Sequence, residues 1–277
     1  MARFGTIVSA ERDLPILPGV SPGRADLLVT RNLSKSFRGL VALKDHAIRI
    51  APGEIVGVIG PNGSGKSTLF NLVTGFVRPD AGEVEFDGRA IAALPPPTIT
   101  RLGIARTFQG TRLFRELTVI ENLRAAAQLR HRAGLFDAIL GTPVLARTTR
   151  AVDEAAEHLL GLFGLGDSAY RRAGDLPYGD QRRLEMARAL ATEPRLLMLD
   201  EPAAGMDSTE TRALLALIER IRDLARVAVV VVEHDMDLIM NLCERIQVLA
   251  HGQVIFEGTP VEVQASNRVR EVYLGQA

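Results

Sequence analysis

The segment Gly60-Pro61-Asn62-Gly63-Ser64-Gly65-Lys66-Ser67-Thr68 constrains this chain more than any other. It satisfies the pattern G-x-x-x-x-G-K-[ST]. Before it runs an apolar stretch, Glu54 to Ile59, and after it Leu69 to Val73 read as the body of a helix. Strand, glycine-rich loop and helix in that order make a phosphate-binding unit. The glycines let successive backbone N–H groups turn inward around an anion without Cβ clashes. The helix that follows points its positive end at the same place. In such a cradle Asn62, Gly63, Ser64, Gly65 and Thr68 surround the phosphates, Lys66 reaches the β- and γ-phosphates, and the Ser67 hydroxyl holds Mg²⁺. An ordinary glycine-rich turn would match the letters but would not need the strand and helix around them.

A second element completes the chemistry. Leu196 to Leu199 form an apolar run that delivers Asp200 and Glu201 at its end, just before Pro202. In open α/β sheets, ligands bind in the crevice outside the carboxyl ends of the strands, so this acidic pair belongs beside the glycine loop. Asp200 suits Mg²⁺, directly or through water. Glu201 then stands next to the γ-phosphate, where a carboxylate can polarise an attacking water. Taken alone, the pair could equally cap a helix.

The remaining elements alternate. Strand-like pieces at Asp26 to Arg31 and His46 to Ile50 precede the loop. Residues 118–131 and 151–163 are rich in good helix formers. Another helix near 209–224 separates Leu196–Leu199 from the β-branched run Val227–Val232. Strands alternating with helices predict a parallel sheet with crossover connections. Ile246–Leu249 and Val254–Phe256 flank His251-Gly252, which predicts a tight hairpin. Residues 1–26, with scattered proline and glycine and no periodicity, read as a flexible extension. Residues 27–277 read as one domain: 27–115 and 193–277 form an α/β core, and 116–192 a helical part.

Composition narrows the class. Hydrophobic residues make up 47% of 277, enough for a sizeable core. Lysine plus arginine total 33, as do aspartate plus glutamate, so the net charge is zero and a nucleic-acid partner held by phosphate attraction is not expected. The single cysteine, Cys243, excludes an internal disulfide or a multi-cysteine zinc site, and its apolar neighbours predict a buried, inert thiol. No run approaches the roughly 18 consecutive apolar residues of a membrane helix. Glu11, Arg12 and Asp13 fall where a signal peptide needs apolar residues. The expectation is a cytoplasmic chain that reaches a membrane only through a partner.

Together with Leu176-Pro177-Tyr178-Gly179-Asp180-Gln181-Arg182-Arg183, the glycine loop and the Asp200-Glu201-Pro202 strand occur in the order and spacing of ATP-binding cassette (ABC) transporter ATPases. The resemblance covers about residues 27 to 277. It implies a P-loop NTPase fold of the α/β class: a RecA-like parallel sheet core with an N-terminal antiparallel β part, plus an inserted helical subdomain carrying the signature segment. By the same resemblance Gln109 contacts Mg²⁺ at the joint to that subdomain, and His234 contacts the γ-phosphate. Asp207 lies in the loop that communicates across a dimer. Phe37 stacks on the adenine of ATP, although a core phenylalanine would also fit. The Leu176–Asp180 segment departs from the family's Leu-Ser-Gly-Gly-Gln. Pro177 offers neither hydroxyl nor N–H, so contact in trans with the partner's ATP would rest on Gly179 and the helix behind it, through Gln181 and Arg182.

The departure resembles one subfamily, the ATPases of branched-chain and hydrophobic amino-acid uptake. So do Ala105-Arg106-Thr107-Phe108-Gln109, Arg112-Leu113-Phe114, Glu116-Leu117-Thr118-Val119, Gly134-Leu135-Phe136, Thr142-Pro143 and Val272-Tyr273-Leu274-Gly275. That resemblance implies a second ATPase subunit, identical or related, integral membrane permease subunits, indirectly a periplasmic substrate-binding protein, and a place on the cytoplasmic face of the inner membrane. A non-transport cassette ATPase of translation or DNA repair, an importer of urea or amides, and a small-molecule kinase on the same loop remain alternative readings.

Overall fold

The structure, a computed structural model, describes residues 26–110, 112–129 and 143–274. The extension proposed for residues 1–26, apart from Asp26, lies outside them. So do Gly134-Leu135-Phe136, Thr142 and Gly275.

Two sheets organise the chain. The central one has six strands in the order β10-β9-β3-β8-β7-β6. They are β3 (Ile55–Ile59), β6 (Ile104–Arg106), β7 (Leu196–Asp200), β8 (Ala228–Val232), β9 (Arg245–Ala250) and β10 (Gln253–Gly258). All neighbours pair in parallel except β10, which runs antiparallel to β9 at the edge. Every residue of β3, β7 and β8 is buried, as expected of parallel strands covered on both faces. Their side chains divide by the two-residue period of a strand. Ile55, Ile59, Leu197, Leu199, Val229 and Val231 enter one core, while Val56, Val58, Leu196, Met198, Val230 and Val232 enter the other.

The second core is closed by the antiparallel sheet, order β2-β1-β4-β5, and by the helix α1 (Lys66–Val73). Its strands are β1 (Leu28–Phe37), β2 (Leu40–Ile50), β4 (Ala81–Phe86) and the short β5 (Arg89–Ala90). β1 and β2 extend well beyond the pieces legible as Asp26–Arg31 and His46–Ile50. Register shifts between Thr30 and Leu33 and between Leu33 and Lys35 break the alternation a sequence reading relies on.

The first core is shared with helices. α3 (Val119–Ala127) starts from a capping box, in which Thr118 and Glu121 satisfy each other's backbone N–H groups. α4 (Pro143–Phe163) begins earlier than residue 151, and α5 (Tyr178–Leu190) carries the signature segment. α6 (Ser208–Ala225) and α7 (Met236–Leu242) return the chain to the sheet. A short α2 (Pro96–Leu102) precedes β6, and α8 (Pro260–Ala265) and α9 (Asn267–Leu274) end the described chain. The hairpin at His251-Gly252 is present, with both residues at positive φ, as a two-residue turn between twisted strands requires. Cys243 is buried, and desolvation pushes its thiol up to about 12, so it is inert. Among the described residues no helix is long and apolar enough to cross a membrane.

Candidate active site

The glycine loop joins β3 to α1 at the carboxyl edge of the central sheet. Two glycines are fixed by crowding as well as by dihedral angle. Gly60 sits at φ 150°, and a Cβ there would overlap the Leu249 carbonyl oxygen. Gly65 sits at φ 110°, where a Cβ would lie 2.7 Å from the Ala42 carbonyl oxygen. Thus β9 and β2 both press on the loop from outside and hold its curve. Lys66 is buried and folds back over the loop, donating to the carbonyls of Gly60 (2.6 Å) and Pro61 (3.0 Å). Desolvation lowers its pKa, against the pull of Glu201 and Asp200. A buried cation resting on neutral carbonyls can exchange them for phosphate oxygens. Ser67 is exposed at the mouth, and Thr68 is half-buried behind it.

Asp200 and Glu201 follow β7 as expected, but they face different partners. Asp200 is buried, and its Oδ2 takes a 2.8 Å bond from Arg106 Nη2. Glu201 has φ 50°, an unfavourable angle for a non-glycine residue that is held by its backbone N–H donating to Val232. Its carboxylate accepts from Gln109 Nε2 at 2.9 Å and from His234 Nε2 at 2.7 Å. Three residues from three separate loops, singled out for the γ-phosphate or its Mg²⁺, therefore meet at one carboxylate. His234 is not a satisfied core histidine, since its side chain is 45% exposed.

Several supporting residues escaped the sequence reading. Glu233 is buried, and its carboxylate takes the N–H of Ala203 (2.7 Å) and of His234 (3.0 Å), tying the turn after Glu201 to the histidine loop. Burial pushes its carboxyl above the usual range, against those two bonds. A lone acid between the apolar run ending at Val232 and His234 was the only signal. Burial raises the pKa of Tyr273 on α9, against the pull of the Gly60 N–H.

Arg182 binds the signature helix to the segment that carries Gln109. Its guanidinium is buried and donates to the backbone oxygens of Phe108 (3.1 Å) and Gln109 (2.7 Å), to Tyr178 Oη (3.0 Å) and to Glu185 (3.2 Å). Gln181 Nε2 donates to Leu176 O at 2.9 Å. These two side chains are bonded within the subunit. Glu185 in turn accepts from the Phe108 N–H, so the signature helix grips the segment that carries Gln109.

Other singled-out residues stand apart from this cluster. Gly179 opens α5, where an added Cβ would lie 2.8 Å from Glu210 Oε1. The Asp207 carboxylate caps α6, accepting from Thr209 N (2.7 Å) and Glu210 N (2.9 Å), and those bonds lower its pKa. Phe37 is 45% exposed at the end of β1, which removes the core-phenylalanine alternative. It lies on the same hairpin whose Ala42 presses on the glycine loop.

The donors present fit a hard, oxygen-seeking cation. Asp200, the Ser67 hydroxyl and the Gln109 amide oxygen could hold Mg²⁺, which keeps several waters and needs no all-protein cage. Among the described residues no group of three or more His, Cys, Asp or Glu side chains is placed to hold a metal ion.

A glycine-loop phosphate cradle, an acidic strand end beside it and a parallel sheet with helices define a nucleotide-binding P-loop protein. The chain belongs to the ABC transporter family: residues 43–204 match that family's model, and residues 253–277 match the branched-chain amino acid ATP-binding cassette transporter model. It is 44% identical to the high-affinity branched-chain amino acid transport ATP-binding protein LivG of Salmonella typhimurium, over 91% of this chain and 98% of that one. BraF of Pseudomonas aeruginosa, a protein of the same description, is 41% identical over 91% and 98%. Among solved structures, the ADP conformation of MJ1267, an ATP-binding cassette of an ABC transporter, superposes with a TM-score of 0.78 at 30% identity, covering 91% of this chain and all (100%) of that one.

Proposed function

We propose that this chain is the ATP-hydrolysing subunit of an importer for branched-chain or other hydrophobic amino acids. The observation that carries hydrolysis is the meeting of Gln109, Glu201 and His234 beside Lys66. On this reading Phe37 stacks on adenine, residues 60–68 enclose the phosphates, and Lys66 moves from the Gly60 and Pro61 carbonyls to the β- and γ-phosphates. Glu201, fixed by Gln109 and His234, orients and polarises the attacking water. His234, released in part from Glu201, donates to the γ-phosphate. Mg²⁺ held by Ser67, Gln109 and Asp200 would neutralise charge developing on the phosphates.

The reading needs a second ATPase subunit. Gly179 and Asp207 both meet Glu210 at the start of α6 and bond nothing in residues 60–68, and on this reading they act in trans, across a head-to-tail dimer. Among solved relatives, MJ0796 forms a dimer bound to ADP and Pi, with a TM-score of 0.72 at 27% identity over 84% of this chain. Residues 27–115 and 193–277 act as the nucleotide-binding core and 116–192 as the helical subdomain. Closure on ATP and reopening after hydrolysis then move integral membrane permease subunits, served by a periplasmic substrate-binding protein, from the cytoplasmic face of the inner membrane. The likeness to LivG and BraF supports the substrate class.

The test is Glu201→Gln. The amide keeps the size and one acceptor but cannot polarise water as a carboxylate does, so turnover should fall by at least about 100-fold while ATP affinity stays within a few-fold. Sustained hydrolysis by this variant would remove Glu201 from its role.

A further inference from the structure

One buried charge near the site has no part in the mechanism above. Arg106 ends β6, and its side chain is 8% exposed, beside an Asp200 side chain that is 7% exposed. The guanidinium is shared between two elements. Nη2 donates to Asp200 Oδ2 at 2.8 Å, and Nη1 donates to Asn71 Oδ1 on α1 at 2.6 Å. Its plane is also covered by rings, with Phe70 of α1 centred 5.3 Å away and Phe108 4.9 Å away. The far side of this arrangement leads outward: Arg112 stacks on Phe108 at 4.0 Å, and Phe76 meets Phe108 edge-on at 5.6 Å.

We propose that Arg106 is the positioning residue for Asp200, fixing the carboxylate for Mg²⁺ by anchoring it to the glycine-loop helix. This inference rests on the reading of Asp200 as a metal-binding group. A free carboxylate rotates and, with Lys66 close by, has a competing cation to pair with. A guanidinium bonded to one oxygen stops that rotation and leaves Oδ1 for metal or metal-bound water. Because the second arm of the fork ends on Asn71, Asp200 and α1 are held as one unit, and phosphate cradle and metal carboxylate keep their spacing. Lysine carries the charge but has no planar fork to bond both partners in these directions. The ring of Phe108 touches Arg106 next to Gln109, so movement of that segment reaches Asp200 through the same guanidinium.

The experiment measures the affinity of the full chain for a fluorescent ATP analogue, once in EDTA and once with Mg²⁺. The ratio of the two isolates the metal's contribution from that of the cradle. Arg106→Gln and Arg106→Lys should each cut the Mg²⁺-dependent gain about tenfold, the loss expected for one charge-assisted hydrogen bond. Affinity in EDTA should stay within about twofold of wild type, since no residue of the glycine loop is changed and its curve is held by β9 and β2. Asn71→Ala keeps the ion pair and loosens only its anchor, so a smaller loss of about threefold is expected, and this variant carries the test should the Arg106 variants fail to fold. An unchanged ratio, a parallel fall of both affinities, or a larger Mg²⁺ gain would overturn the proposal. The last would make Arg106 a competitor of the metal. A wild-type ratio near one would instead overturn the metal reading of Asp200, and this inference with it.

Discussion

Residues whose chemistry depends on near neighbours in sequence were legible; those whose partners are distant were not. Lys66, Ser67, Asp200 and Glu201 announce themselves because a glycine loop and an acidic strand end are local patterns. Arg106, Glu233 and His46 do not, since each is defined by a group far along the chain. His46 is fully buried between the sheets, with Nδ1 3.2 Å from Thr30 Oγ1 and Nε2 2.7 Å from Gln247 Oε1. Desolvation lowers its pKa from 6.5 to about 4, against the pull of Gln247 and Glu257. Between those values the unfolded chain binds a proton that the native one refuses, so native stability is full above 6.5 and drains as pH falls towards 4. At pH 5 the loss from this residue should be about 2 kcal/mol. Urea unfolding at pH 7.5 and pH 5 checks it: His46→Gln should lose distinctly less stability on acidification than wild type. Equal losses would mean that His46 titrates normally.

At the scale of elements, the long helices and the fully apolar strands β3, β7 and β8 were legible because a 3.6-residue or fully apolar pattern survives without tertiary context, whereas β4, β6 and the short helices α2, α8 and α9 were not. The bulged β1 and β2 were read short, since their outer faces are polar and their registers shift. Least legible was the clasp between α5 and the segment around Gln109. Arg182 and Glu185 lie one helical turn apart and look like an ordinary surface pair, yet their side chains are only 4% and 3% exposed. The clasp makes the signature helix and the Gln109 segment move together, which is what a site completed by a partner needs. Arg182→Met should destabilise the chain by about 3 kcal/mol, because Glu185 is left buried and unpaired. Adding Glu185→Leu should recover part of that loss in urea unfolding. A double variant as unstable as the sum of both single ones would show that the two charges do not depend on each other.

At the scale of the whole molecule, the fold class followed from the order of its motifs, and the parallel sheet puts the loops after β3, β6, β7 and β8 along one edge. That is why Lys66, Gln109, Glu201 and His234 converge although they span most of the chain. The sequence could not show that Gly179 and Asp207 both meet Glu210 at the start of α6, because that depends on how α5 and α6 pack. The most direct measurement is a crystal structure of the Glu201→Gln variant with MgATP. Lys66 Nζ should have left the Gly60 and Pro61 carbonyls for the terminal phosphate, with the side chain at position 201 facing the same phosphate and Gly179 of the partner subunit closing over it. Nucleotide bound with Lys66 still on those carbonyls and position 201 turned elsewhere would contradict the account.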